Sequence, residues 1–154
     1  STFTISHPIL QGEMMTSHSA FKIQTSGRGL TAITDKVRSA VASSGIQQGV
    51  CTVFIHHTSA SLTITENADP DVQADLDDYL SRLVQDGDPR YRHDAEGPDD
   101  MAAHIRAALT LTSLTIPIQQ GQCALGTWQV VFLWEHRTHA HQRKVSVTTI
   151  GEKA

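Results

Sequence analysis

The sequence predicts an α+β fold on a mainly antiparallel sheet. Runs of strand type at 18–25, 49–57, 61–66, 113–118, 124–136 and 143–150 are interrupted by helix-type segments. These segments do not recur with the steady alternation of βαβ units, which argues against a parallel sheet. A chain of 154 residues suffices for one good core, so a single domain over 1–154 is expected.

Each element has its own signal. Residues 3–9 read as an opening strand, with Pro8 suggesting a sheet edge. Residues 18–25 follow as a strand that Gly27 and Gly29 break. Over 30–43, Ile33, Val37, Ala40 and Val41 recur at helical spacing and Gly45 offers a stop. The β-branched run 49–57 and the run 61–66 are joined by Thr58, Ser59 and Ala60, which predicts a hairpin. Asp69 and Pro70 suit a helix cap and first position, and Val72, Leu76, Tyr79, Leu80 and Leu83 form its expected buried stripe. A polar loop spans 85–97. Pro98 or Asp99 then opens a short helix with Met101, Ile105, Ala108 and Leu109 on one side. Three closing strands are read at 113–118, 124–136 and 143–150.

Composition narrows the function classes. The formal net charge is -4, and most acidic residues fall between Glu66 and Asp100, where the only cations are Arg82, Arg90 and Arg92. Such a segment argues against a nucleic-acid footprint. No apolar run approaches the roughly 20 residues of a membrane span. The start of the chain lacks the pattern of a secretory signal, and Cys51 and Cys123 sit in apolar settings without a disulfide framework. A cytoplasmic protein with both thiols reduced in the core is expected, with neither Cys having an activating partner.

The most informative segment is Leu125-Gly126-Thr127-Trp128-Gln129 followed by an apolar run and Glu135. Gly126 permits close approach of another backbone or a ligand. Read as one strand, Gln129 and Glu135 share a face with Val131 and Leu133. A carboxylate on an apolar face must be solvated, paired or used. The reading favoured here is use: Glu135 exposed to a pocket as a proton acceptor or metal partner, so that Glu135→Gln would leave melting near native and remove activity. His56 and His57 end a strand beside the hydroxyls of Thr58, Ser59 and Ser61, which can donate to an anion. Asp100 lies one helical turn before His104, a spacing that lets a carboxylate hold one imidazole nitrogen while the other is presented. Arg143 and Lys144 form a basic pair suited to a phosphate.

Three ordered blocks carry a family resemblance. They are Leu114-Thr115-Ile116-Pro117-Ile118 with Gly121-Gln122-Cys123-Ala124-Leu125-Gly126-Thr127-Trp128-Gln129; the block 57–71, which opens on His57; and His93 with 97–105, which contains Asp100 and His104. The chain resembles the YjbQ-like proteins, often described as secondary thiamine-phosphate synthases, from about Phe21 to Ile150. That resemblance implies an α+β sandwich or partly open barrel with about three helices, and association as a homotrimer with sites near subunit boundaries. It implies joining of a pyrimidine diphosphate to a thiazole phosphate with release of pyrophosphate. The implied metal ligands are His57, His93 and His104, holding a divalent ion, Zn or Mg. Glu135, His104 and Asp100 are the implied catalytic groups, and Thr58, Ser59, Asn67, Gln129 and Arg143 the contacts to a small anionic or phosphorylated metabolite. A zinc-dependent hydrolase using Glu135 as base, and a non-catalytic trimer that binds a metal or small anion, are the alternatives.

Overall fold

The computed structural model describes residues 13–153; the strand expected at 3–9 lies outside them. In chain order the elements are β1 (Met14–Gln24), β2 (Gly29–Ala32), α1 (Thr34–Ser44), β3 (Gln48–Ile55), β4 (Ala60–Thr65), α2 (Pro70–Leu83), α3 (Asp100–Leu109), β5 (Ser113–Gln119), β6 (Gln122–Cys123), β7 (Val130–Glu135) and β8 (Gln142–Glu152). A five-stranded sheet has the order β1-β8-β3-β5-β6, and a three-stranded sheet the order β2-β7-β4. Every pairing is antiparallel. The α+β class is therefore as the sequence predicts. Among the described residues no helix is long and apolar enough to cross a membrane.

The two sheets enclose the main core. Cys51, Val53 and Ile55 of β3, Ile116 and Ile118 of β5, and Val145 and Val147 of β8 meet Leu62 of β4, Val131 and Leu133 of β7, and Val37 and Val41 of α1. On the other side, Trp134 packs with Leu80, Val84 and Ala102 beneath α2 and α3. β7 is thus covered on both faces. That explains its unbroken apolar run, because a strand with no wet face has no reason to alternate.

Several expectations fail for identifiable reasons. β3 and β4 are not a hairpin: they belong to different sheets, and residues 56–59 carry the chain across the core. The short strand β2 occupies what reads as the start of a helix, which begins at Thr34. The 124–136 segment is a strand only from Val130. In α2 the cap at Asp69 forms as expected, its carboxylate accepting from the Asp71 N–H. Tyr79 and Leu83 of its apolar stripe are exposed, however, because α2 touches the rest of the molecule along a narrow line. In α3 the buried side is Asp100, Ala102, Ala103 and Arg106, whereas Leu109 is exposed. Charged residues, bound inward, have displaced the apolar face that the pattern suggested.

Candidate functional site

β7 ends at Glu135, and the ends of β1 and β8 converge on it. Glu135 is fully buried. Its Oε1 accepts from the Thr25 hydroxyl at 2.7 Å and from Arg143 Nε at 2.8 Å. Its Oε2 accepts from a second Arg143 nitrogen and from the backbone N–H groups of His136 and Arg137, at 3.1 and 3.2 Å. Burial alone would raise the carboxyl pKa; the bonds from Arg143 and Thr25 and the Arg143 charge outweigh it and hold the group below its ordinary value. Glu135 is therefore a paired carboxylate, and the expectation of a pocket-facing base or metal partner is overturned. Two features position the turn that brings Thr25 here. Gly27 has φ 121°, and a Cβ there would lie 2.9 Å from the Thr138 carbonyl oxygen.

Arg143 is equally committed. It is buried and also donates to the Ser59 hydroxyl and carbonyl, at 3.0 and 3.3 Å. Its guanidinium is occupied and cannot clamp a phosphate, and Ser59, 8% exposed, is buried beside it. His57 Nε2 accepts from the Lys144 N–H at 2.7 Å. Its Nδ1 lies 3.4 Å from a guanidinium nitrogen of Arg143, which can only donate, so both ring nitrogens face donors. Burial, then the Arg143 charge, lowers the His57 pKa and keeps it neutral. With no lone pair left to offer, His57 does not belong to a metal set as it stands.

The other two histidines do converge. Asp100, the first residue of α3, is buried, and its Oδ2 lies 2.7 Å from His93 Nε2 and 3.2 Å from His104 Nε2. One ligand atom from each of His93, Asp100 and His104 falls within 4.8 Å of the others. The fold fixes His104 through an unforeseen partner: its Nδ1 lies 3.0 Å from the Thr58 carbonyl oxygen. A carbonyl can only accept, so Nδ1 carries the proton. In the neutral ring Nε2 then points a lone pair at a carboxylate oxygen. Two acceptors at this distance require a second proton or a cation between them. Two imidazole nitrogens with one carboxylate oxygen suit a borderline divalent ion such as zinc better than magnesium, which favours all-oxygen sites. The donor set therefore fits a metal, with Asp100 in place of His57.

Arg137, which the sequence reading passed over, supports this cluster. It donates to Asp100 Oδ1 at 2.9 Å, to Asp99 Oδ2 at 2.8 Å and to the Glu96 carbonyl at 3.0 Å. Asp99 also accepts from the Thr138 N–H. Both carboxyl groups are held below their ordinary pKa. Burial opposes this; for Asp99 the Arg137 and Thr138 bonds prevail, and for Asp100 the bond from His93 and the charges of His104 and Arg137 do. The doublet Asp99-Asp100 was the available signal: two acids opening one buried helix need a cation. Beside the cluster, His93 borders a cleft of about 330 Å³ with Asp88, Tyr91, Asp94 and Met101.

Asn67 and Gln129 lie elsewhere. Gln129 is exposed, outside β7, and its carboxamide oxygen accepts from the Gly126 N–H at 2.8 Å while the Gln129 N–H donates to the Gly126 carbonyl at 3.1 Å. The expected common face with Glu135 does not exist. What comes close to Gly126 is this carboxamide, which a Cβ would meet at 3.2 Å. Asn67, Gly126, Thr127 and Gln129 line a separate cavity of about 690 Å³ with Lys36 and Arg38. Cys51 is buried as expected, whereas Cys123 is half-buried and does have partners: a hydrogen bond from Cys51, opposed by burial and reinforced by the Arg38 charge, lowers its thiol to about 7.

Comparison with known proteins accounts for nearly all the described chain. The family model for UPF0047 protein YjbQ-like matches residues 19–152. A UPF0047 protein of Synechocystis sp. is 55% identical over 130 residues, covering 84% of this chain and 88% of the relative. UPF0047 protein YjbQ of Salmonella typhimurium is 41% identical over 126 residues, covering 81% and 91%. Among solved structures, a YbjQ-like protein of unknown function from Sulfolobus solfataricus superposes with a TM-score of 0.83 at 25% identity, covering 91% of this chain and 100% of that one. An uncharacterized YjbQ/UPF0047 family protein from Clostridium acetobutylicum gives 0.78 at 37% identity, covering 85% and 98%.

Proposed function

This chain belongs to the YjbQ-like UPF0047 family, and we propose that it is a metal-dependent enzyme acting on a small phosphorylated metabolite, with His93, Asp100 and His104 as the metal ligands. One observation carries the reading: the His104 Nε2 lone pair faces the Asp100 carboxylate, with His93 Nε2 on the same oxygen. A divalent ion bound there supplies charge stabilisation to a departing phosphate group. The specific reaction put forward is thiamine-phosphate synthesis from a pyrimidine diphosphate and a thiazole phosphate.

The chain's own residues prepare the site. The Thr58 carbonyl fixes the tautomer of His104. Arg137 pins the Asp100 carboxylate from behind, as groups bonded to metal ligands do. The buried pair of Glu135 and Arg143 holds the 56–59 crossing through Ser59, and so places Thr58.

A zinc-dependent hydrolase is the second reading. Two histidines and one carboxylate match the donor count of catalytic zinc sites, which leave a fourth position for water. Its base would be Glu96, exposed and 3.8 Å from His93, because Glu135 is enclosed. A trimer is proposed on the uncovered outer face of the five-stranded sheet, where Val50, Phe54 and Ile150 are exposed. Two free thiols suit a cytoplasmic setting.

Incubating zinc- or magnesium-loaded protein with both thiamine precursors tests the first reading, and appearance of thiamine phosphate is the expected result. Hydrolysis of phosphoesters without that product would select the second. Metal uptake with neither activity would leave a binding protein.

A further inference from the structure

The 690 Å³ cavity at the start of β7 contains none of the metal-site histidines, and nothing in the proposed chemistry uses it. We infer that it binds a small phosphate-bearing anion, independently of the metal ligands at the other end of the strand. β7 advances about 3.3 Å per residue, so its two ends stand about 16 Å apart, too far for one small ligand to span both in one chain.

The chemistry of the lining selects an anion. Lys36 and Arg38 line the cavity, and among the described residues neither has a carboxylate within 4.0 Å; the Lys36 ammonium lies 5.7 Å from the centre of the Phe21 ring, a contact its flexible stem can exchange for an anion. Asp35 is the one acid in the lining, so the cations outnumber it on a chain whose net charge is -4. Gln129 sharpens the assignment. The Gly126 N–H can only donate, so the oxygen of the Gln129 carboxamide is consumed and its NH₂ group remains as a donor. Asn67 is in the same state, its Oδ1 accepting from Gln73 at 2.7 Å. Thr127 adds a hydroxyl from a turn that is closed by two hydrogen bonds and so is already ordered. A guanidinium, an ammonium and two amide donors match the oxygens of a phosphate or pyrophosphate group. A metal cation would find a single carboxylate there.

Isothermal titration of inorganic pyrophosphate into protein stripped of metal with EDTA tests this at low ionic strength. Binding is expected in the wild type. The double substitution Lys36→Ala with Arg38→Ala should weaken it by about tenfold or more, and His93→Ala should leave it unchanged. Lys36 and Arg38 are exposed, so the variant should melt like the wild type. Gln129→Glu, which turns a donor into an acceptor at similar size, should also weaken binding and supplies a second route if the double variant folds poorly. No binding by the wild type would overturn the inference. So would binding that survives both cavity variants, or binding that His93→Ala abolishes. Because the protein is stripped of metal, failure here leaves the metal reading standing, and success does not support it.

Discussion

At the end of β7, around Glu135, the buried charged groups are paired with opposite charges; at its beginning, around Val130, the cations Lys36 and Arg38 of α1 have no carboxylate within 4.0 Å among the described residues, and Lys36 rests only on the ring of Phe21. The first region is dry. Glu135 has four donor groups around it, Arg143 is shared between Glu135 and Ser59, and Arg137 is shared among three acceptors. The second is an open cavity lined by exposed Lys36, Arg38, Thr127 and Gln129. The same strand thus ends in a buried ion network beside the proposed metal ligands and begins in the cavity proposed to take an anion. Conspicuous charge is a poor guide between them: the buried Glu135 and Arg143 hold structure, and the less conspicuous His93 and His104 are left able to bind.

The harshest way to break this contrast is Glu135→Gln. It removes the charge but not the buried Arg143, and losing one member of such a pair costs about 3–5 kcal/mol. For a domain of this size the melting midpoint should fall by roughly 10 °C, read by calorimetry. This reverses the near-native melting that the sequence suggested, and a near-native midpoint would show that the pair does not hold this end.

Acid should weaken the same end next. His136 is buried, its Nε2 2.8 Å from Ser61 Oγ and its Nδ1 without a partner among the described residues. Burial and the charge of Arg106 lower its pKa to about 3. The unfolded chain takes up this proton near pH 6.5 and the folded chain does not. Stability is therefore lost as pH falls from about 6.5 toward about 3, by up to about 1.4 kcal/mol per unit. Glu135, whose pKa is also lowered in the fold, contributes fully above about pH 4.3 and loses its contribution as pH falls through the folded value. Denaturant titrations across pH should show the decline, and His136→Gln should flatten it between 6.5 and 4.5.

Arg137→Met separates support from ligation. It keeps the stem and deletes the bonds to Asp99 and Asp100, so zinc affinity should fall about 10- to 100-fold in chelator competition. Unchanged affinity would mean that the carboxylates need no backing. The smallest effect belongs at the other end: Trp128 is 63% exposed at the turn, and Trp128→Ala should move stability by no more than about 0.5 kcal/mol. A larger loss would make that turn part of a buried surface.

What the sequence disclosed follows the range of the forces involved. Local signals were legible: Asp69-Pro70 caps α2, Gly45 stops α1 in the left-handed region, and the four-residue spacing of Asp100 and His104 joins them. Signals that depend on register were not. Glu135 was seen to need a partner, but only the pairing of β7 and β8 into different sheets brings Arg143 against it. The misread hairpin concealed that residues 56–59 cross the core, and with it the Thr58 carbonyl that orients His104. Gln129 was misplaced because strand periodicity was carried through a turn that the Gly126 and Gln129 bonds close.

Elemental analysis of protein incubated with zinc and then desalted tests the metal assignment most directly. Stoichiometric zinc is predicted in the wild type and in His57→Ala, and its loss in the paired substitution His93→Ala with His104→Ala, with an unchanged circular dichroism spectrum. A wild type that takes up no zinc, or zinc that disappears with His57→Ala and survives the loss of His93 and His104, would contradict the account.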